Sequence, residues 1–162
     1  MCVSASKSGA NAVKLFLQRV TRASVTIDGE EVGRIGRGYL VLMGVGCGDQ
    51  PEQVERTLRK LLCLRIFEDE AGKMNRSIRD VGGSVLLVSQ FTLYADLTHG
   101  NRPGFSLAAP PALAEPLYEL MKQRLTEALG PQRVAFGRFG ADMQVELLND
   151  GPVSMEIRCE AE

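Results

Sequence analysis

Residues 147–157, LLNDGPVSMEI, hold two short runs of alternating apolar residues that meet at Asn149-Asp150-Gly151-Pro152. Alternation with period two marks half-buried strands, and a cluster of Asn, Asp, Gly and Pro between two such runs predicts a hairpin corner. Strands are therefore expected at Met143 to Leu148 and at Val153 to Cys159. Whether Gly151-Pro152 is only a corner, or main chain held for chemistry, depends on what the rest of the sequence supplies.

The opening of the chain has the same texture. Lys14 to Val20 (KLFLQRV) reads as a strand with Leu15, Leu17 and Arg19 on one face and Phe16, Gln18 and Val20 on the other. Ala23 to Ile27 continues extended, Asp28-Gly29 signals a tight turn, and Glu31 to Ile35 and Tyr39 to Val45 follow as strands. Asp49 and Pro51 then introduce a helix whose Val54, Leu58, Leu61, Leu62 and Arg65 share a face. Ser84 to Val88 (SVLLV) is a short buried strand. A second helix carries Leu117, Leu120, Met121, Leu125 and Ala128, is regular from about Pro116 onward, and stops at Gly130-Pro131. Strands outnumber helices and hairpins outnumber βαβ crossovers. The expected fold is α+β, with largely antiparallel or mixed sheets curled into a barrel-like core beside two main helices.

A chain of 162 residues, 44% hydrophobic and 24% charged, suits one globular domain. Residues 1–13 read as a flexible tail and 14–162 as that domain. No apolar run is long enough for a membrane helix, and the first dozen residues lack the apolar stretch of a secretory signal. Cys2, Cys47, Cys63 and Cys159 have no C-x-x-C spacing, so reduced, mostly buried thiols in a cytoplasmic protein are expected and no metal centre is. A net charge of −1 argues against general nucleic-acid binding, DNA included, although the middle of the chain is locally basic.

Several segments invite a chemical reading. GVGCGD (44–49) sits between a strand and a helix, where a phosphate loop belongs. Its glycine spacing is wrong, however, and Asp49 and Glu52 would meet the anion, so it reads as a plain connection. A Ser-His or Cys-His pair would depend on the one histidine, His99, in a polar loop. Glu68, Asp69 and Glu70 look like a solvated turn. SQFTL (89–93) is more informative: a buried strand ends in Ser89-Gln90 and delivers Phe91 and Thr92, where side chains and free N–H groups can face a cleft. The long loop HGNRPGFSLAAPP (99–111) places Arg102 near Phe105, a pairing able to hold a phosphate or stack on a base, or simply a tied-down loop.

Together these pieces resemble the D-aminoacyl-tRNA deacylases. The resemblance runs from Lys14 to Cys159 through LQRVTRASVTIDGE (17–30), KMNRS (73–77), SQFTLYAD (89–96), GNRPGFS (100–106) and FGADMQVELLNDGPVS (139–154). Two positions depart from the usual pattern: Ser154 replaces a threonine but keeps its hydroxyl, and Gly104 stands where a serine follows Arg-Pro. The resemblance implies hydrolysis of D-aminoacyl-tRNA to free tRNA and amino acid, without metal or cofactor, by a homodimer that engages the tRNA 3′ end. It implies a cis Gly151-Pro152 bond that reaches into the partner subunit's site and turns its carbonyl oxygens towards the substrate's α-carbon. An L side chain would strike them, a D side chain would not, and glycyl esters, including glycine mischarged on tRNA-Ala, would pass. A thousandfold preference needs only about 4 kcal/mol. It further implies that the tRNA 2′-hydroxyl organises the attacking water, with N–H donors at Phe91 and Thr92. Ser89 and Gln90 would contact the terminal adenosine, Phe139 would wall the pocket, and Asn149 and Arg102 would complete the substrate contacts. Arg19 would anchor the Gly-Pro segment. The alternative is a module that binds an RNA 3′ end or a nucleotide without turnover.

Overall fold

The computed structural model describes residues 12–160. The hairpin corner expected at Gly151-Pro152 is not there: Gln144–Glu160 form one strand, β8, of 17 residues. Its two halves pair not with each other but with the same neighbour, β1 (Ala12–Ile27), itself 16 residues long. Gln18 faces Ser154 and Val20 faces Asn149, so four residues of β8 lie against one of β1. The turn residues thus form a wide bulge inside a strand rather than a reversal of the chain. Local sequence cannot distinguish these outcomes, because both need Gly and Pro where regular pairing stops.

The bulge also changes which face is buried. Val153 and Ile157 belong to the cluster that holds Leu15 and Leu17, whereas Val145 and Leu147 pack on the cluster of Val20, Ala23 and Val25. β1 makes the same switch, with its register slipping between Val20 and Arg22.

β8 occupies one edge of β1, and the other edge is shared by β3 (Gly38–Gly44) and β2 (Glu30–Ile35), all antiparallel. The sheet continues through β6 (Ser84–Ser89), parallel to β3, and β7 (Val134–Phe136), parallel to β6. A small hairpin, β4 (Phe67–Glu68) with β5 (Met74–Arg76), stands apart and contains the acidic turn. The fold is α+β with a mixed, mainly antiparallel sheet. It curls until a Cβ at Gly33 in β2 would lie 3.3 Å from Ala135 and Phe136 of β7. Among the described residues no ladder joins those strands, so the barrel-like core expected from the sequence is an open, curled sheet.

Helices α1 (Pro51–Cys63) and α2 (Pro111–Leu129) cover one sheet face with Val54, Leu58, Leu61, Leu117, Met121 and Leu125. In α1 the Gln53 side chain accepts the Gln50 N–H at 2.6 Å, fixing the first turn. The helix stops at Cys63, so Arg65 lies beyond it. α2 starts five residues before Pro116; the ring forfeits one backbone bond inside the helix, and burial of Ala114, Leu117 and Tyr118 outweighs that loss. β1 likewise begins before Lys14, with Ala12 and Val13 fully buried. The tail expected at 1–13 otherwise lies outside the described residues. Of the cysteines expected to be reduced, Cys63 and Cys159 are free, Cys47 is disulfide-bonded, and Cys2 is outside the described residues. No helix is long and apolar enough to cross a membrane.

Candidate active site

At the end of β6 the chain leaves the sheet at Ser89 and turns at once. The Gln90 N–H donates to the Met43 carbonyl of β3 at 2.7 Å, and Phe91–Tyr94 wind into one turn of 3-10 helix whose first bond runs from Leu93 N–H to the Gln90 carbonyl. That pattern leaves the N–H groups of Phe91 and Thr92 without an acceptor in the turn. The turn rests directly on Gly44. A Cβ there would sit 3.0 Å from Leu93 Cβ and 3.2 Å from the Gln90 carbonyl oxygen, so the absent side chain lets the two segments touch. Gln90 Nε2 donates to Thr92 Oγ1 at 2.5 Å, tying side chains across the turn.

Beside this turn opens a mainly apolar cleft of about 510 Å³. Ser89, Gln90 and Phe91 form one wall and Phe139 another. The start of α2 with the preceding Ala108–Pro110 closes the third, and Tyr118 is also part of the lining. Tyr118 is held by donating its hydroxyl to the Leu87 carbonyl at 3.1 Å, and its ring lies 6.0 Å from that of Phe139. Phe91 is 57% exposed at the mouth, with its ring edge-on to Phe105 at 5.0 Å. An apolar body with a few polar groups at one rim is the usual make-up of a small-molecule binding cleft.

The remaining residues singled out from the sequence lie elsewhere. Asn149, Gly151 and Pro152 are exposed on β8 and do not line the cleft of their own chain. The Gly151–Pro152 bond is cis. Arg19 is buried and braces this segment: its Nε donates to the Asp150 carbonyl at 3.1 Å, and a second guanidinium nitrogen donates to the Ile66 carbonyl at 2.6 Å. Its Nε is also 3.4 Å from the Asp150 carboxylate. Arg102 and His99 sit on the exposed 97–106 loop and do not line the cleft, to which that loop contributes Phe105. That loop is clipped by paired bonds between Asp96 and Gly104 of 2.7 and 2.9 Å. A side chain at Gly104 would make only ordinary contacts, 3.8 Å from Asp96, so the loop does not require glycine there.

GVGCGD is a connection, as expected, but its acidic residue is not idle. Asp49 is fully buried and accepts the Gly46 N–H at 2.7 Å, while its other oxygen has no partner among the described residues. Burial pushes its carboxyl up to about 6 against the pull of that hydrogen bond. Sequence reasoning passed over Tyr118, which looks like core on its helix stripe, and in the 99–111 loop it drew attention to Arg102 and Phe105 rather than to the lining residues Ala108–Pro110. The signal available for Tyr118 was its hydroxyl, which needs a partner when buried.

The profile of the family described as D-Tyr-tRNA(Tyr) deacylase matches residues 16–158. A D-aminoacyl-tRNA deacylase of Limosilactobacillus reuteri is 52% identical over 143 residues, 88% of this chain and 97% of that protein. Its namesake in Ruegeria pomeroyi is 55% identical with the same coverage. Among solved structures, that of c-Myc DNA Unwinding Element Binding Protein superposes with a TM-score of 0.86 and 45% identity, over 91% of this chain and 99% of that one.

Proposed function

The chain belongs to the D-Tyr-tRNA(Tyr) deacylase family and is a D-aminoacyl-tRNA deacylase, and from that premise we propose how its own residues carry out the hydrolysis. The terminal adenosine of the tRNA lies in the apolar cleft, with Ser89 and Gln90 at its polar rim and Phe139 against its face. The ester carbonyl then stands over the 91–94 turn, where the Phe91 and Thr92 N–H groups accept charge developing on its oxygen. Water adds to the carbonyl carbon, the ester C–O bond breaks, and the departing ribose oxygen takes a proton. The neighbouring 2′-hydroxyl orders the water, which is why neither His99 nor an activated nucleophile is needed. Thr92 positions rather than attacks. Asn149 and Arg102 contact the substrate outside the cleft, and the reaction belongs to the cytoplasm.

Chirality is sorted by the Gly151-Pro152 main chain of a second copy. Two observations support this. The segment is braced from behind by Arg19, and it is exposed on the outermost strand, away from the cleft of its own chain. Glycyl esters present no side chain and are cleaved as well. The observation that carries the reading is the 91–94 turn, whose first N–H groups have no acceptor within the turn and whose Phe91 lines the apolar cleft. The name of the solved relative points to a DNA element. A net charge of −1 argues against general nucleic-acid binding, and no DNA role is assigned.

The test is release of D-tyrosine and L-tyrosine from charged tRNA by the purified chain. D-tyrosine is released and the L ester is spared, while His99→Ala and Thr92→Ala retain most of the rate. Equal cleavage of both hands would overturn the chiral assignment. Loss of activity in His99→Ala would overturn the account of the chemistry, and tight binding of tRNA without release under single-turnover conditions would favour a binding module.

A further inference from the structure

The 91–94 turn needs support beneath it, because one turn of 3-10 helix has little stability of its own. Gly44 supports it at one end. At the other the structure offers Lys14, whose side chain no part of the proposed chemistry uses. Lys14 sits on β1, where it pairs with Gly44 on one side and Arg158 on the other. Its ammonium donates to the Leu93 carbonyl at 3.2 Å and lies 4.2 Å above the ring of Tyr94. Tyr94 is buried, and its other charged neighbours are Asp49, Glu156 and Arg158. Lys14 therefore binds two successive residues of the turn, one through the carbonyl and one through the ring face. A cation at the carbonyl end of a helical turn also matches the direction of its dipoles.

We propose that Lys14 is a positioning residue of the hydrolytic site: by gripping Leu93 and Tyr94 from behind, it fixes the orientation of the turn and hence of the Phe91 and Thr92 N–H groups. The proposal rests on the assignment of those groups as carbonyl donors. Lys14 itself touches no substrate. An apolar residue of the same length would keep the packing and lose the grip, whereas arginine would keep both the donor and the cation over the ring.

Lys14→Met and Lys14→Arg are compared with the unchanged chain in single-turnover hydrolysis of D-tyrosyl-tRNA and in amide hydrogen exchange. Lys14→Met lowers the maximal single-turnover rate about tenfold, as a displaced donor pair should, with half-saturation changed by less than about twofold. Exchange speeds up at Leu93 to Ala95 but not in β3 or β6, and Lys14→Arg restores both rate and protection. The proposal is overturned by a normal rate in Lys14→Met, by a lowered rate with unchanged exchange at the turn, by exchange that speeds up across the whole sheet, or by an arginine variant as slow as the methionine one. An unchanged chain that leaves the D ester intact refutes the function assigned to the cleft, while exchange at Leu93 to Ala95 still shows whether Lys14 holds the turn.

Discussion

Single residues in this molecule are placed by a balance between burial and polar satisfaction, and Asp49 shows the balance going against a charge. Its carboxyl titrates near pH 6 in the folded chain, raised mainly by burial, against 3.8 when unperturbed. A carboxyl with a raised folded pKa holds its proton better folded than unfolded. Its contribution is therefore most favourable below pH 3.8 and is lost as pH rises through about 6, a swing of roughly 3 kcal/mol. Asp49→Asn keeps an acceptor for the Gly46 N–H and removes the buried charge. Urea denaturation should find Asp49→Asn more stable than the unchanged chain by about 1–3 kcal/mol at pH 7, with the difference shrinking towards zero as pH falls to 4. A difference independent of pH would mean that Asp49 is not the group titrating. Arg19 shows the opposite balance. The charge is tolerated inside the core because two carbonyls and a carboxylate receive it, one of those carbonyls belonging to the segment that Arg19 was expected to anchor.

At the level of elements, what the sequence revealed depended on how long each pattern ran. The alternation of Leu15 and Leu17 against Phe16 and Val20, and the helical stripe from Val54 to Leu62, span enough residues to fix both type and face. β7 is three residues between Pro131–Arg133 and Gly137, too short to show any period, and went unread. β8 was split in two because a bulge opposite one residue of β1 uses the same amino acids as a hairpin turn. Ser89, Gln90 and Phe91 of the cleft lining were legible as polar and aromatic residues at a strand end, a pattern that equally suits a strand running out to the surface. Of the cleft's apolar walls only Phe139 was foreseen, through the resemblance; the parts from α2 and from Met143 were not, because topology alone brings them together. Contact between elements can be tested at Gly44, where the 91–94 turn lies on β3. Gly44→Ala inserts a methyl 3.0 Å from Leu93 and must lift the turn by a few tenths of an ångström. Melting should report a loss of roughly 1–3 kcal/mol, together with a slower single-turnover rate. Gly36→Ala, with nothing within 4 Å of the added carbon, should leave the rate unchanged. Equal behaviour of the two variants would mean that close packing of the turn on β3 is irrelevant.

For the molecule as a whole, the cleft and the Gly151-Pro152 segment stand at different places on one chain, and the proposed mechanism joins them only across two copies. β8 leaves its outer edge unpaired along 17 residues among the described elements, an arrangement that single chains usually blunt or cover. If the Gly-Pro segment of one copy serves the cleft of the other, defects placed in different chains must interact in a predictable way. Ala108→Trp fills the cleft but leaves the exposed segment intact. Gly151→Ala does the reverse: the added methyl would lie 2.8 Å from Val153 at a φ of +128°, displacing the segment while the cleft stays open. Alone, the first variant should cleave neither ester, and the second should cleave L-tyrosyl-tRNA as well as the D form. A small amount of Gly151→Ala chain is then refolded with about a tenfold excess of Ala108→Trp chain. By mass action nearly all of the open clefts now lie in mixed dimers, and each faces an intact segment from its partner. Cleavage of the L ester should collapse while cleavage of the D ester persists. If each chain used its own segment, the open clefts would keep their displaced Gly151→Ala main chain and L cleavage would continue undiminished. That result would leave the deacylase in place but confine chiral selection to a single subunit.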